Sequence, residues 1–323
     1  MAALDGAGVV TSGARRRIAL AIALGAGVVV ALQSRSNGEL AHHVGNAVVA
    51  AWLTGLVGAL LLLIIVLSRH RAGFATVWRE ARAGVLPWYL LTGGFFGTFF
   101  LITQSLVVPV MGVAVFAVGY IAGQTTGSLL ADRIGLAGNG RQAITLRRVF
   151  ASILAVVAVA IALSNRLSSV HGTVLLVAMV LVAGVLFAPQ QAFNGRVGRA
   201  GGSPFIGAFV NFIGALTGTS VVLAIDILTT GMRPVDPWGA PWWAYLGGVL
   251  GMTAIAAGAA VVPIVGVLMY TLATVLGQLL GALILDIIAP TPGANVGVRL
   301  VTGVVLTAIA VALASVRRRR PAQ

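Results

Sequence analysis

The chain contains no cysteine and no lysine, and only seven acidic residues. Without cysteine there can be no disulfides, thiolate catalysis or cysteine-bound metal. Charged residues make up 9% of the sequence, against about 25% in an ordinary soluble domain. That leaves too little polar surface to keep a globule in water, so a soluble enzyme is excluded. Disorder is excluded as well, because it requires low hydrophobicity and high charge. What the 323 residues do have is a 59% hydrophobic content and a mean hydropathy of +1.03. The runs from Val48 to Leu67 and from Ile153 to Leu163 are apolar on every side. They lack the in-out alternation of a transmembrane β-barrel. An all-α membrane protein is therefore expected, with about 20 apolar residues per crossing.

Ten transmembrane helices are read at 18–38, 46–68, 87–108, 111–131, 147–164, 173–195, 204–228, 241–262, 264–288 and 297–316. The net charge of +14 is carried by arginines that sit between these runs or at the tails. Seventeen fall on one side: Arg15–Arg17, Arg69, Arg71, Arg79, Arg82, Arg133, Arg141, Arg147, Arg148, Arg196, Arg199 and Arg317–Arg320. Four fall on the other: Arg35, Arg166, Arg233 and Arg299. Positive loops stay in the cytoplasm, so both termini are placed there, and the basic charge encodes orientation rather than nucleic-acid binding. Arg15–Arg17 followed by Ile18 to Leu32 has the shape of a secretory signal, but Ala31-Leu32-Gln33-Ser34 offers no small-x-small cleavage site, so the segment reads as a retained span. The organisation expected is a cytoplasmic tail (1–17), a first five-helix repeat (18–164), a second (173–316) and a basic cytoplasmic tail (317–323).

The two halves match. Gln33-x-x-x-Asn37-Gly38 recurs as Gln190-x-x-x-Asn194-Gly195, and Pro87-Trp88-Tyr89 as Pro241-Trp242-Trp243. Gly93-Gly94-x-x-Gly97 recurs as Gly247-Gly248-x-x-Gly251, and Pro109 with Gly112 as Pro263 with Gly266. Gly123-Gln124-x-x-Gly127 with Asp132 recurs as Gly277-Gln278-x-x-Gly281 with Asp286, and Arg148 as Arg299. Five spans per repeat is an odd number, so the second copy must enter the membrane upside down. Two inverted five-helix repeats related by an axis in the membrane plane can pack in two nearly equivalent ways, one open to each side.

These repeated residues resemble the YdcZ-like branch of the drug/metabolite transporter superfamily, in a fused two-repeat form. The resemblance rests on the Gln-x-x-x-Asn end of the first helix, the Pro-Trp-Trp/Tyr start of the third with its Gly-Gly-x-x-Gly, and the Gly-Gln…Asp fourth helix. Both halves carry all three. The resemblance implies a transporter of small organic molecules in the bacterial cytoplasmic membrane. It also implies a cavity enclosed by spans one to four and six to nine, with spans five and ten peripheral. Small multidrug members of the superfamily carry a glutamate within their first helix. This chain has Gln33 near the outer end of its first span and no acid at the centre, a departure from that proton-exchange pattern.

Intramembrane polar groups are costly unless paired, so each needs an account. Gln124 and Gln278 lie near mid-span and read either as pseudo-symmetric substrate ligands or as interhelical glue, with the flanking glycines favouring packing. Gln33 with Asn37, and Gln190 with Asn194, share a helical face and read as gate residues or as helix-end hydrogen bonders. Asn211 and Thr54 are further candidates for the cavity wall. Glu39, just past the first span, and Asp132 and Asp286 at span ends read as ion-coupling groups or as interfacial anions paired with arginine, as Arg35 to Glu39 and Arg133 to Asp132. The tryptophans near span ends read as interfacial anchors. His42, His43, His70 and His171 are placed in loops, and the segment 135–140 reads as a flexible link.

No Ser/His/Asp set, acid cluster, metal-ligand spacing or ATP-binding motif is present, so no catalytic residue, metal or cofactor is expected. The expected function is secondary-active transport of a small organic solute by alternating access, with export the direction favoured. The partners are that solute and the bilayer, and the chain acts as a monomer or homodimer. The alternatives are a flippase for lipids or lipid-linked metabolites and a non-transporting scaffold. A flippase would show greasy cavity walls open to the bilayer, and a scaffold a dry, uninterrupted core.

Overall fold

A computed structural model of the chain describes residues 5–136, 146–163, 171–231, 235–265, 267–290 and 296–315. Among them the chain is all helical: α1 (Asp5–Val44), α2 (Ala47–Ile65), α3 (Arg71–Arg82), α4 (Gly93–Met111), α5 (Val113–Ile134), α6 (Leu146–Leu163), α7 (His171–Ala200), α8 (Pro204–Thr230), α9 (Gly247–Val265), α10 (Val267–Ile288) and α11 (Val298–Ser315). Apart from α3, these helices stand where the ten spans are expected. Leu, Ile and Val side chains are exposed along them, as on Leu60, Ile64, Val110, Ile153, Val221 and Ile284. A soluble protein would bury such residues; a bilayer solvates them.

Helix boundaries follow local chemistry. Gly45, in a left-handed turn (φ 74°), separates α1 from α2. Asn46 then caps α2, its side-chain oxygen accepting from the N–H groups of Val48 and Val49 at 2.8 and 3.1 Å. Ser203 and Pro204 start α8 in the same manner, with the Ser203 hydroxyl accepting from Phe205 N–H. Pro87 and Pro241 each begin a short 3₁₀ turn, Trp88–Thr92 and Trp242–Leu246, at matching places in the two repeats.

The helices depart from the expected spans in three places. Helix α1 runs from Asp5 to Val44, so it takes in residues 5–17, and Glu39, His42 and His43 lie within the helix rather than beyond it. The Arg35–Glu39 pair, one helical turn apart at 3.0 Å, supports this extension. The second span continues through a π-helical turn, Val66–His70, into α3, a polar helix with Arg71, Arg79 and Arg82; His70 is therefore helical too. His171 is the first residue of α7. Most of the link at 135–140, the tail 317–323 and the side chains of Asp132 and Arg148 lie outside the described residues.

Two close helix contacts organise the bundle. Helix α1 runs parallel to α10: a Cβ on Gly277 would land on the Leu24 carbonyl and one on Gly281 would meet Val28, while one on Gly27 would land on the Thr274 carbonyl. Helix α5 runs parallel to α7 in the same way, Gly123 facing the Leu181 carbonyl and Gly127 the Val185 carbonyl, with Gly184 against the Tyr120 carbonyl. Glycine permits backbones this close, as small residues do in membrane bundles. These are one contact seen twice, because Gly27 and Gly184 occupy equivalent positions of the two repeats, as do Gly277 and Gly123. The first helix of each repeat is therefore packed on the fourth helix of the other.

The directions establish the inversion. Helices α1 and α2 form an antiparallel hairpin. Helix α8 lies antiparallel to α2, with Gly55 near Leu216 and Gly58 near Phe212, but parallel to α4, with Gly94 near Gly214 and Thr98 near Gly218. Helices α4 and α5 then reverse at Gly112, which has φ 89°. Helix α5 thus opposes α1, whereas its counterpart α10 runs with α1. Helices α6 and α11 pack on each other at the side of the bundle, with Gly303 against Ala158 and Ala162.

Candidate functional site

A cavity of about 720 Å³ lies between α1, α4, α5, α7, α8, α9 and α10. It reaches the surface where α7 ends and α8 begins, at Arg199, Gly202 and Pro204, and penetrates to the level of Gln33, Gln278 and Gly251. Helices α6 and α11 do not line it. Six side chains singled out from the sequence meet on its wall: Gln33, Gln124, Gln190, Asn194, Asn211 and Gln278.

The wall amides are held differently. Gln190 Nε2 donates to Asn211 Oδ1 at 2.9 Å, while the buried Gln190 Oε1 has no hydrogen-bond partner. The side chains of Gln33, Gln124 and Gln278 bond no protein group among the described residues and border the cavity. The neighbouring glycines make the helix packing, which leaves these amides on the wall. Gly97 and Gly251 keep the positions opposite Gln190 and Gln33 open: a Cβ there would approach the two amide nitrogens at 3.1 and 2.9 Å.

Beyond this floor the bundle is closed. Thr54 Oγ1 donates to Asn37 Oδ1 (2.9 Å), Asn37 Nδ2 to Gln104 Oε1 (2.5 Å), Gln104 Nε2 to Ser34 Oγ (2.7 Å) and Ser34 Oγ to the Val30 carbonyl (3.0 Å). All donors point one way along this chain, so each bond polarises the next. It joins α1, α2 and α4, and Asn37 and Gln104 are fully buried. An apolar plug of Leu40, Val44, Ala50, Ala240 and Ala244 lies beyond it. Asn37 is therefore part of the closed end and does not line the cavity.

Gln104 is a lone amide. The spacing that carries Gly97 to Gly251 and Pro109 to Pro263 carries Gln104 to Gly258, and Phe100 to Ala254. A search guided by repeat symmetry passes over it, whereas a search for any intramembrane amide would find it. The aromatic wall residues Phe100, Tyr120, Phe187 and Tyr270 were also not singled out, since an aromatic in a hydrophobic span carries no distinguishing signal.

Glu39 and Asp286 stand apart from the cavity. Glu39 pairs with Arg35 at 3.0 Å and lies 3.5 Å from His43 Nδ1. Asp286 is buried, and its two carboxylate oxygens accept from the Val113 and Ala114 N–H groups at 3.0 and 2.8 Å. It thereby caps the start of α5, where unpaired N–H groups and the helix dipole favour an anion. Asp132, its counterpart, has its side chain outside the described residues. Trp52 donates to Ser220 Oγ at 2.9 Å, joining α2 to α8 away from the cavity. Among the described residues no group of three metal-ligating side chains occurs.

Ten helices in two inverted repeats around a half-open, amide-lined cavity define a multi-pass membrane protein of the inverted-repeat class. The chain belongs to the YdcZ family of the drug/metabolite transporter superfamily. The family described as "Putative inner membrane exporter, YdcZ" matches residues 18–161 and 175–313, one match to each repeat. No curated protein matches the chain.

Proposed function

We propose that the protein is a secondary transporter that exports a small organic solute across the cytoplasmic membrane by alternating access. The single observation that carries this reading is the cavity: it opens at one face, passes four glutamines, ends at the level of Gln33 and Gln278, and is shut beyond them by a hydrogen-bonded lock. The arginine distribution assigns the open face, at Arg199, to the cytoplasm, with both chain termini there. Gln33, Gln124, Gln190, Gln278, Asn194 and Asn211 hold the solute, and Asn37 belongs to the outer gate. Inverted repeats supply the second state, in which the gates exchange roles.

Glu39 is a structural ion-pair partner in this reading. Asp286 is a gate element that fastens α10 to the start of α5. The amides on the wall favour a solute over a lipid, since they offer hydrogen bonds that an acyl chain cannot use. The test is reconstitution in liposomes with a screen of solutes. A Gln124→Leu/Gln278→Leu double variant is expected to fold and to lose flux by at least tenfold. Unchanged flux in the folded variant removes both residues from the mechanism.

A further inference from the structure

We infer that the cargo is an uncharged ring compound bearing both hydrogen-bond donors and acceptors, such as an aromatic or heteroaromatic amide. This rests on the transport reading above and assigns the chemical class its cavity takes.

The first ground is the sign of the wall. Among the described lining residues there is no carboxylate, and the only side chain charged at neutral pH is Arg199, exposed at the mouth. A cation moving to the floor would leave water without a counter-ion, and an anion would leave Arg199 behind. An unpaired charge in such a site is far more costly than a neutral group that finds its hydrogen bonds.

The second ground is the kind of polar group present. Each amide offers two N–H donors and a carbonyl acceptor. Gln33, Gln124 and Gln278 have no protein partner among the described residues, and Gln190 Oε1 is buried and unpartnered. Such a wall complements a neutral group that both donates and accepts, because it can satisfy both functions at once.

The third ground is the ring surface. The Phe100 and Tyr120 centroids are 5.2 Å apart, and those of Tyr120 and Phe187 5.3 Å apart at 67°. These are the spacings and tilts at which aromatic groups attract one another. Tyr270, tied to the Ala254 carbonyl at 3.3 Å, provides a ring from α10. Gly258 and Ala254 stand where the first repeat has Gln104 and Phe100, and the Tyr270 ring packs into the space beside Gly258. The volume of about 720 Å³ fits a molecule of drug or metabolite size.

The test uses the full chain and matched triples of ligands that differ chiefly in charge: nicotinamide, 1-methylnicotinamide and nicotinate, with benzamide, benzylammonium and benzoate as a second set. Binding is measured by equilibrium dialysis in detergent, and flux in proteoliposomes with and without an imposed potential of about 100 mV. The neutral member of each set is expected to bind at least tenfold more tightly than either ion. With a protonophore present to hold any coupled proton at equilibrium, its accumulation should ignore the potential, which biases a univalent ion about 50-fold. Gln278→Glu, which keeps the side chain's size and adds a charge, is expected to shift preference toward the cation by tenfold or more. The inference is overturned if an ion binds as well as its neutral partner, or if neither neutral member binds at millimolar concentration. Neutral binding without flux supports this assignment while defeating the transport reading. Flux that prefers an ion does the reverse.

Discussion

Gln104→Leu tests the lock at the closed end. The substitution keeps the volume nearly constant and removes two hydrogen bonds, from Asn37 Nδ2 and to Ser34 Oγ. It leaves the Asn37 amide buried with only its Thr54 contact. Interhelical hydrogen bonds in membranes contribute about 0.6 kcal/mol each, and stranding a buried polar group costs about 1–3 kcal/mol. The closed outer end should therefore lose about 1–3 kcal/mol, a shift of roughly 5- to 150-fold toward the outward-open state. The second repeat has Gly258 where the first has Gln104, so no equivalent lock forms at the other end to offset the loss. The natural chain has no cysteine, which makes the assay direct: Leu40→Cys, buried in the plug, reports opening by its labelling rate with an impermeant maleimide added outside. Labelling should accelerate by that factor in Gln104→Leu, while labelling of Gly195→Cys, an exposed wall position, slows from the cytoplasmic side. Equal rates in a variant of unchanged thermal stability would refute the reasoning.

Two more outcomes follow from the packing. Gly277→Val places a side chain on the Leu24 carbonyl and should separate α1 from α10, lowering stability by about 1–3 kcal/mol or more, read as loss of the folded peak in gel filtration and a lower Tm in detergent. Asp286→Ala removes the anion that caps α5 and should cost about 1–3 kcal/mol, read as a lower Tm; Asp286→Asn, which keeps one acceptor, should recover part of it.

The ten helices, their boundaries at glycine and proline, and the internal repeat are legible in the sequence, because apolar length and turn chemistry are local properties. The wall amides are legible too, since a polar group within a span must face protein or cavity. Three features are not. The partnering of α1 with α10 and of α5 with α7 is a tertiary choice, and Gly27 is one small residue among many until its neighbour is known. The end of α1 is hidden because Ser34 to His43 has loop composition; the helix persists there through the Arg35–Glu39 pair and the burial of Asn37 and Leu40. Gln104 is hidden because repeat symmetry points to pairs, and its counterpart is a glycine.

That glycine bears on why the two halves share one polypeptide. A pair of identical five-helix chains would carry the same residue at both ends of the passage, so a bolt at one mouth would be copied at the other. Joining the halves lets them specialise: one keeps the long amide that fastens its door, while the other gives up its side chain to leave a vestibule.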